Sequence, residues 1–209
     1  MTAEIVVADY GSGNLRSVER AVARTGAKVT VTADLAAARN ADGLVVPGVG
    51  AFAACMAGIE EIGLGPVVAE RVAAGAPVLG ICVGMQVMFE TGEEHGVITK
   101  GLGLLPGAVT RLDAELLPSV RVPHMGWNTV EADPDFALFE GIGTDARFYF
   151  VHSYAAPAEV AGAQIATTVH GGRFLAAVRK GALSATQFHP EKSGDTGAAL
   201  LANWVGEIS

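Results

Sequence analysis

Apolar and polar positions alternate along the first half of the chain in two distinct rhythms. Glu4–Ala8 is a short apolar run, ended by the polar, glycine-rich Asp9-Tyr10-Gly11-Ser12-Gly13-Asn14. Leu15–Thr25 then places Leu15, Val18 and Val22 at helical spacing, and Gly26 supplies the stop. Lys28–Thr32 reads as a strand, Leu35–Asn40 as an alanine-rich helix and Gly43–Val46 as a buried strand entering Pro47-Gly48-Val49-Gly50. Ala51–Glu60 and Gly65–Ala74 suit helices, and Pro77–Ile81 a further strand. Strands alternating with helices at this spacing predict a parallel α/β sheet. The second half changes character. Val109–Leu112, Val120–Pro123, Arg147–Ser153, Gln164–Thr168 and Leu175–Arg179 read as strands with few helical intervals, before a closing helix over Asp195–Val205. With no internal repeat or linker, the expectation is one domain over 1–209: a mostly parallel central sheet flanked by helices, with added antiparallel strands.

Composition narrows the setting. The 209 residues hold 14 Lys+Arg against 22 Asp+Glu, a formal charge of −8, which argues against nucleic acid or an anionic membrane as partner. Two cysteines, Cys55 and Cys82, are too few for a disulfide framework and form no CxxC pair for zinc, so no metal is expected. The N-terminus lacks a basic region and carries Glu4 where a signal peptide is apolar. The longest apolar stretches fall short of the roughly 20 residues that span a membrane. A soluble cytoplasmic protein is the expectation.

The chemistry concentrates in Gly80-Ile81-Cys82-Val83-Gly84-Met85-Gln86, which follows the apolar Pro77-Val78-Leu79 and precedes the apolar Val87-Met88-Phe89. A strand, a Gly-x-Cys-x-Gly turn and a helical run form the pattern of a nucleophile elbow, with cysteine in the serine position. The flanking glycines remove side chains that a sharp strand-to-helix turn would crowd. A sulfur at the start of a helix is favoured as thiolate, and the Val83 N–H would meet a developing oxyanion. Cys82 alone also reads as a small buried residue, as Cys55 does. A thiol nucleophile needs a base and the base an orienter. Ser184-Ala185-Thr186-Gln187-Phe188-His189-Pro190-Glu191 offers both, with Pro190 stiffening the link between His189 and Glu191. His95 and His170 sit beside glycines in polar turns, while His124 and His152 lie near apolar strands and are either structural or line a site. Gly11-Ser12-Gly13 reads as a βα turn rather than a phosphate cradle, because the third glycine is missing.

The elbow with Phe188-His189-Pro190-Glu191 resembles the class I (triad) glutamine amidotransferases. Asp9-Tyr10-Gly11-Ser12-Gly13-Asn14-Leu15-Arg16-Ser17-Val18, Pro47-Gly48-Val49-Gly50, Pro123-His124-Met125-Gly126-Trp127-Asn128 and His189-Pro190-Glu191-Lys192-Ser193 are similar to the glutaminase subunits of imidazole glycerol phosphate synthase, in the same order along the chain. The resemblance departs at Val83, where leucine is common, and at His95, where a smaller residue is common. It implies Cys82 as nucleophile, His189 as base and acid, Glu191 as orienter, and the N–H groups of Val49 and Val83 as oxyanion hole. Gly50, Gln86, Glu94, His152, Ser153 and Tyr154 would hold glutamine. Asn14, Trp127, Tyr149 and Lys192 would meet a (β/α)8 cyclase subunit in a heterodimer; no cofactor is implied. The two glycines of Pro47–Gly50 would let that loop reorient. The residues themselves leave open another class I glutaminase, a non-catalytic α/β protein with a reactive elbow cysteine, and a Cys-His hydrolase of small esters.

Overall fold

The computed structural model describes residues 2–112 and 121–208. Its first half follows the predicted alternation: β1 (Glu4–Ala8), α1 (Leu15–Ala23), β2 (Lys28–Thr32), α2 (Leu35–Asn40), β3 (Gly43–Gly48), α3 (Phe52–Ile62), α4 (Leu64–Ala73) and β4 (Val78–Cys82). Next come α5 (Val83–Gln86), β5 (Phe89–Glu94), β6 (Val97–Lys100) and β7 (Leu105–Arg111). Beyond the undescribed stretch lie β8 (His124–Thr129), β9 (Glu131–Ala132), β10 (Arg147–His152), β11 (Tyr154–Ala155), β12 (Gln164–His170), β13 (Gly172–Lys180), β14 (Leu183–Thr186) and α6 (Gly194–Gly206).

The main sheet has eight strands in the order β2-β1-β3-β4-β14-β13-β12-β9. The first five are parallel to one another, and β13, β12 and β9 extend them in antiparallel fashion. Every residue of β3, β4 and β14 is buried, as expected of strands covered on both faces. The helices do the covering: α1 packs on α6 and α2 on α4, and α6 buries Leu200, Leu201 and Trp204. A smaller sheet, β11-β7-β5-β6, and an antiparallel ribbon of β8 and β10 are paired separately, the ribbon bonding to β12 through Asn128 and Thr168 side chains. Among the described residues no single helix is long and apolar enough to cross a membrane.

The departures from expectation are local. The helical run expected after Cys82 ends at Gln86, because the Val87 and Met88 carbonyls accept from Leu102, Leu104 and Leu105 N–H at 2.8–2.9 Å. Those bonds turn the chain into β5. Within Val120–Pro123, residue 120 lies outside the described residues and Arg121–Pro123 is irregular, the strand beginning at His124. Of Val109–Leu112, the first three residues end the longer β7 and Leu112 lies just beyond it, while Leu175–Arg179 falls within the longer β13.

Candidate functional site

The last residue of β4, Cys82, holds φ 57° and ψ −115°, a conformation that a side chain adopts at a cost of about 1–3 kcal/mol. Packing enforces it. A Cβ on Gly80 would lie 2.7 Å from the Gly84 carbonyl oxygen, and one on Gly84 would collide with the Val46 carbonyl. Only glycines let β3, β4 and α5 approach so closely. Val83 opens α5, where the first N–H groups have no partner within the helix.

Register brings the histidine alongside. β14 pairs in parallel with β4, Thr186 opposite Ile81, so the chain leaving β14 passes the cysteine at once. His189 is anchored by its N–H to the Tyr149 carbonyl (2.9 Å) and by Ser193 Oγ donating to its own carbonyl (2.7 Å). Its Nδ1 lies 2.7 Å from Glu191 Oε1, with both side chains almost wholly buried. A carboxylate only accepts, so Nδ1 carries hydrogen and Nε2 is the ring nitrogen left for the cavity that Cys82 shares. Burial works against the imidazolium, but hydrogen bonds to Cys82 and Glu191, and the negative charge of each, outweigh it and raise the His189 pKa to about 9.

These groups open onto a cavity of about 300 Å³. Cys82, His189, Val49, Val83, Gly50, Gln86, Glu94, His152, Ser153, Tyr154 and Lys192 all line it, so every residue expected to touch glutamine shares one chamber. A larger hollow of about 570 Å³ around Phe136 and Gly141 has no cysteine or histidine in its wall. Glu94 is not a free surface acid: its Oε2 accepts the Phe52 N–H at 2.9 Å and so satisfies the start of α3, which has no side-chain cap from Ala51. Gln86 Nε2 donates to the Tyr154 carbonyl and to Gln187 Oε1, each at 2.9 Å. That fixes Gln187 with its Nε2 3.8 Å from Cys82 Sγ.

Val49 is tied to the β1–α1 loop. It borders the cavity, but its N–H donates to Ser12 Oγ (3.1 Å), and Ser12 Oγ donates back to the Val49 carbonyl (2.8 Å). In this conformation the Val49 N–H is committed to Ser12 rather than to an oxyanion. Cys55 Sγ reinforces the arrangement, 3.2 Å from Ser12 Oγ and 3.5 Å from the Val49 carbonyl, while Tyr10 OH donates to the Pro47 carbonyl. The loop's two glycines also differ. Gly48 is wedged against Val83 and Gly84, so its contribution is close packing; Gly50, at φ 90° in open space, is the one free to turn.

Three of the four expected interface residues gather beside His189. The exposed Trp127 ring meets Tyr149 edge-on at 5.9 Å, and Lys192 Nζ stands 5.9 Å from the Tyr149 ring centre. Asn14, exposed before α1 and making no side-chain cap, lies on the β1–α1 loop with Ser12. Ser12, Tyr10, Gln187 and His124 hydrogen-bond to Val49, Pro47, Cys82 and His152 respectively, though no motif assigned them these contacts. Their contacts join residues far apart in the chain; the Gly-Ser-Gly turn, the proximity of Gln187 to His189 and the place of His124 near an apolar strand were the signals the sequence offered.

Comparison with known proteins places this geometry. Residues 6–208 match the family Glutamine amidotransferase class-I. The chain is 60% identical over 206 residues to Imidazole glycerol phosphate synthase subunit HisH of Mycolicibacterium paratuberculosis, covering 98% of each chain. It is 61% identical over 208 residues to the protein of that name from Mycobacterium bovis, again covering 98% of each. The protein of the same name from Thermobifida fusca is 53% identical over 216 residues and the full length of both chains. Among solved structures, a glutamine amidotransferase superposes with a TM-score of 0.71 at 22% identity, covering 97% of each chain. PurLQS from Thermotoga maritima superposes with a TM-score of 0.74 at 16% identity over the whole of both chains. At such identities these two speak for the fold.

Proposed function

The chain belongs to the class-I glutamine amidotransferase family, in its branch of imidazole glycerol phosphate synthase glutaminase subunits, and we propose that Cys82, His189 and Glu191 are its catalytic triad. The observation that carries this assignment is the His189–Glu191 bond of 2.7 Å on the wall of the cavity that also holds Cys82 on its strained elbow. Glutamine occupies the chamber with its side-chain amide at Cys82. The deprotonated sulfur attacks the carbonyl carbon, a C–S bond forms, and the Val83 N–H meets the oxyanion. His189 then gives its Nε2 proton to the departing nitrogen as the C–N bond breaks, releasing ammonia. The neutral ring takes a proton from water, the hydroxide attacks the thioester, and glutamate leaves with the thiolate–imidazolium pair restored.

Val49 supplies the second oxyanion N–H only after it parts from Ser12. In the latched arrangement the hole is half made, and glutaminase turnover stays low until the loop between β3 and α3 rotates about Gly50. The stimulus is a (β/α)8 cyclase partner that meets Asn14, Trp127, Tyr149 and Lys192 to form a heterodimer. Ammonia released into neutral water becomes ammonium, which is no nucleophile, so it passes under cover through the barrel to the cyclase site. There it completes imidazole glycerol phosphate and AICAR in histidine biosynthesis. Residues 1–209 act as one domain, and the enzyme works in the cytoplasm, where its two unpaired cysteines stay reduced.

The test is glutamate release from glutamine with and without the cyclase partner. Cys82→Ser should abolish glutamine-dependent synthesis and leave the ammonia-dependent reaction of the complex intact. Equal loss of both would refute the division of labour, and full glutaminase activity in the isolated chain would refute the half-made hole.

A further inference from the structure

Behind the glutamine chamber lies a chain of hydrogen bonds whose outer member has no part in the mechanism above. His124 on β8 is buried, with its Nδ1 3.1 Å from His152 Nε2. His152 Nδ1 lies 2.9 Å from the Tyr154 carbonyl. That carbonyl also accepts from Gln86, which holds Gln187, which reaches Cys82 Sγ.

The hydrogen positions follow from chemistry. The Tyr154 carbonyl can only accept, so His152 Nδ1 carries the hydrogen. Burial keeps the His152 ring neutral, its pKa lowered to about 4, so Nε2 is bare and needs a donor. His124 Nδ1–H is that donor. Its own ring is clamped between Phe150 (centroids 4.8 Å apart) and His170 (4.0 Å). His170 is turned by Nε2–H donation to the Arg121 carbonyl at 2.8 Å. With its plane fixed on both sides, His124 has one direction in which to offer its hydrogen.

We propose that His124 is a positioning residue for glutamine binding. It fixes the tautomer and ring plane of His152, and through them the Tyr154 carbonyl and Gln86 amide that shape the substrate chamber. The inference rests on the glutaminase reading of that chamber. It adds that the inner face of the β8–β10 ribbon, whose outer face carries Trp127 and Tyr149, sets substrate affinity.

Two variants separate positioning from bulk. His124→Phe keeps a flat ring between Phe150 and His170 but has no donor. His124→Asn restores an N–H near the Nδ1 position with less packing. In the full chain assembled with its cyclase partner, His124→Phe should raise the glutamine KM about tenfold with kcat changed less than about threefold, the scale of one buried hydrogen bond. His124→Asn should recover most of the affinity despite its poorer packing. Ammonia-dependent synthesis should not change in either. Imidazole ¹⁵N spectra of the wild-type chain should show His152 protonated at Nδ1 and bare at Nε2, whatever the substrate proves to be. An Nε2–H tautomer at His152, an unchanged KM in His124→Phe, or a loss in both variants that tracks thermal stability alone would overturn the proposal. A wild-type complex unable to use glutamine would instead overturn the glutaminase reading, and the tautomer measurement would still decide this one.

Discussion

The His189 proton is the quantity on which the proposed chemistry turns. With a pKa of about 9, the ring holds its proton through the neutral range and can hand it to a leaving nitrogen. Turnover limited by that transfer declines as pH rises through about 9, because the acid is then lost. Glu191→Gln keeps an acceptor for Nδ1–H but removes one of the charges that raise the pKa. The alkaline limb of the kcat profile for glutamine should therefore move toward lower pH by about one unit. A limb that stays in place would assign it to another group. Much of this was legible from single residues: glycines flanking a cysteine, and a histidine two positions from a glutamate, are local signals. The commitment of the Val49 N–H to Ser12 was not, since those residues meet only when β1 and β3 lie side by side in the sheet.

Between β3 and α3, the Val49 loop is an element with two jobs. Ser12 both accepts its N–H and donates to its carbonyl, and neither bond survives rotation of the peptide. Ser12→Ala removes both, worth about 1–2 kcal/mol together, which corresponds to roughly a fivefold to thirtyfold change in the latched population. Under the proposed activation by a cyclase partner, glutaminase activity of the isolated chain should rise by a factor in that range, while activity of the complex should change little. Equal activity of the two isolated chains would place the restraint elsewhere. Elements differed in how openly the sequence announced them. The βαβ units of the first half each carry an apolar strand, a turn signal and an amphipathic helix, so β1, β2 and α2 match their expected bounds. Strands β5 and β6 went unread because their alternation is weak and their turn is subtle. His95 and Gly96 link them with positive φ at both positions, 51° and 78°, the two-residue turn suited to a hairpin. The departure from the family at His95 is thus a non-glycine side chain seated in a left-handed turn position.

At the scale of the molecule, the sheet explains how two residues distant in sequence, Cys82 and His189, come to line one cavity. Its parallel core places the ends of β4 and β14 together, and the switch to antiparallel strands after β14 lets the chain supply His189 without another crossover helix. A mixed sheet of this kind is hard to read from sequence, because a strand such as β14, with all four residues buried, has no alternation to betray it. The same burial sets the acid response of the whole fold. His124 and His152 are lowered to about 3 and about 4, chiefly by burial, against an ordinary value of 6.5. Between roughly pH 6.5 and 4 the unfolded chain therefore binds protons that the folded chain refuses. Their stabilising contribution is complete above about pH 6.5 and drains away as pH falls. Two such groups give a slope of about 2.7 kcal/mol per pH unit once both unfolded-state rings are charged, each ring accounting for about 1.4. Urea unfolding measured in steps from pH 7 to 4.5 should show the loss, and His124→Phe should cut its steepness to about half, because one refusing site is gone. An identical slope in wild type and variant would mean that other groups govern acid unfolding and that His124 is not held neutral by its burial.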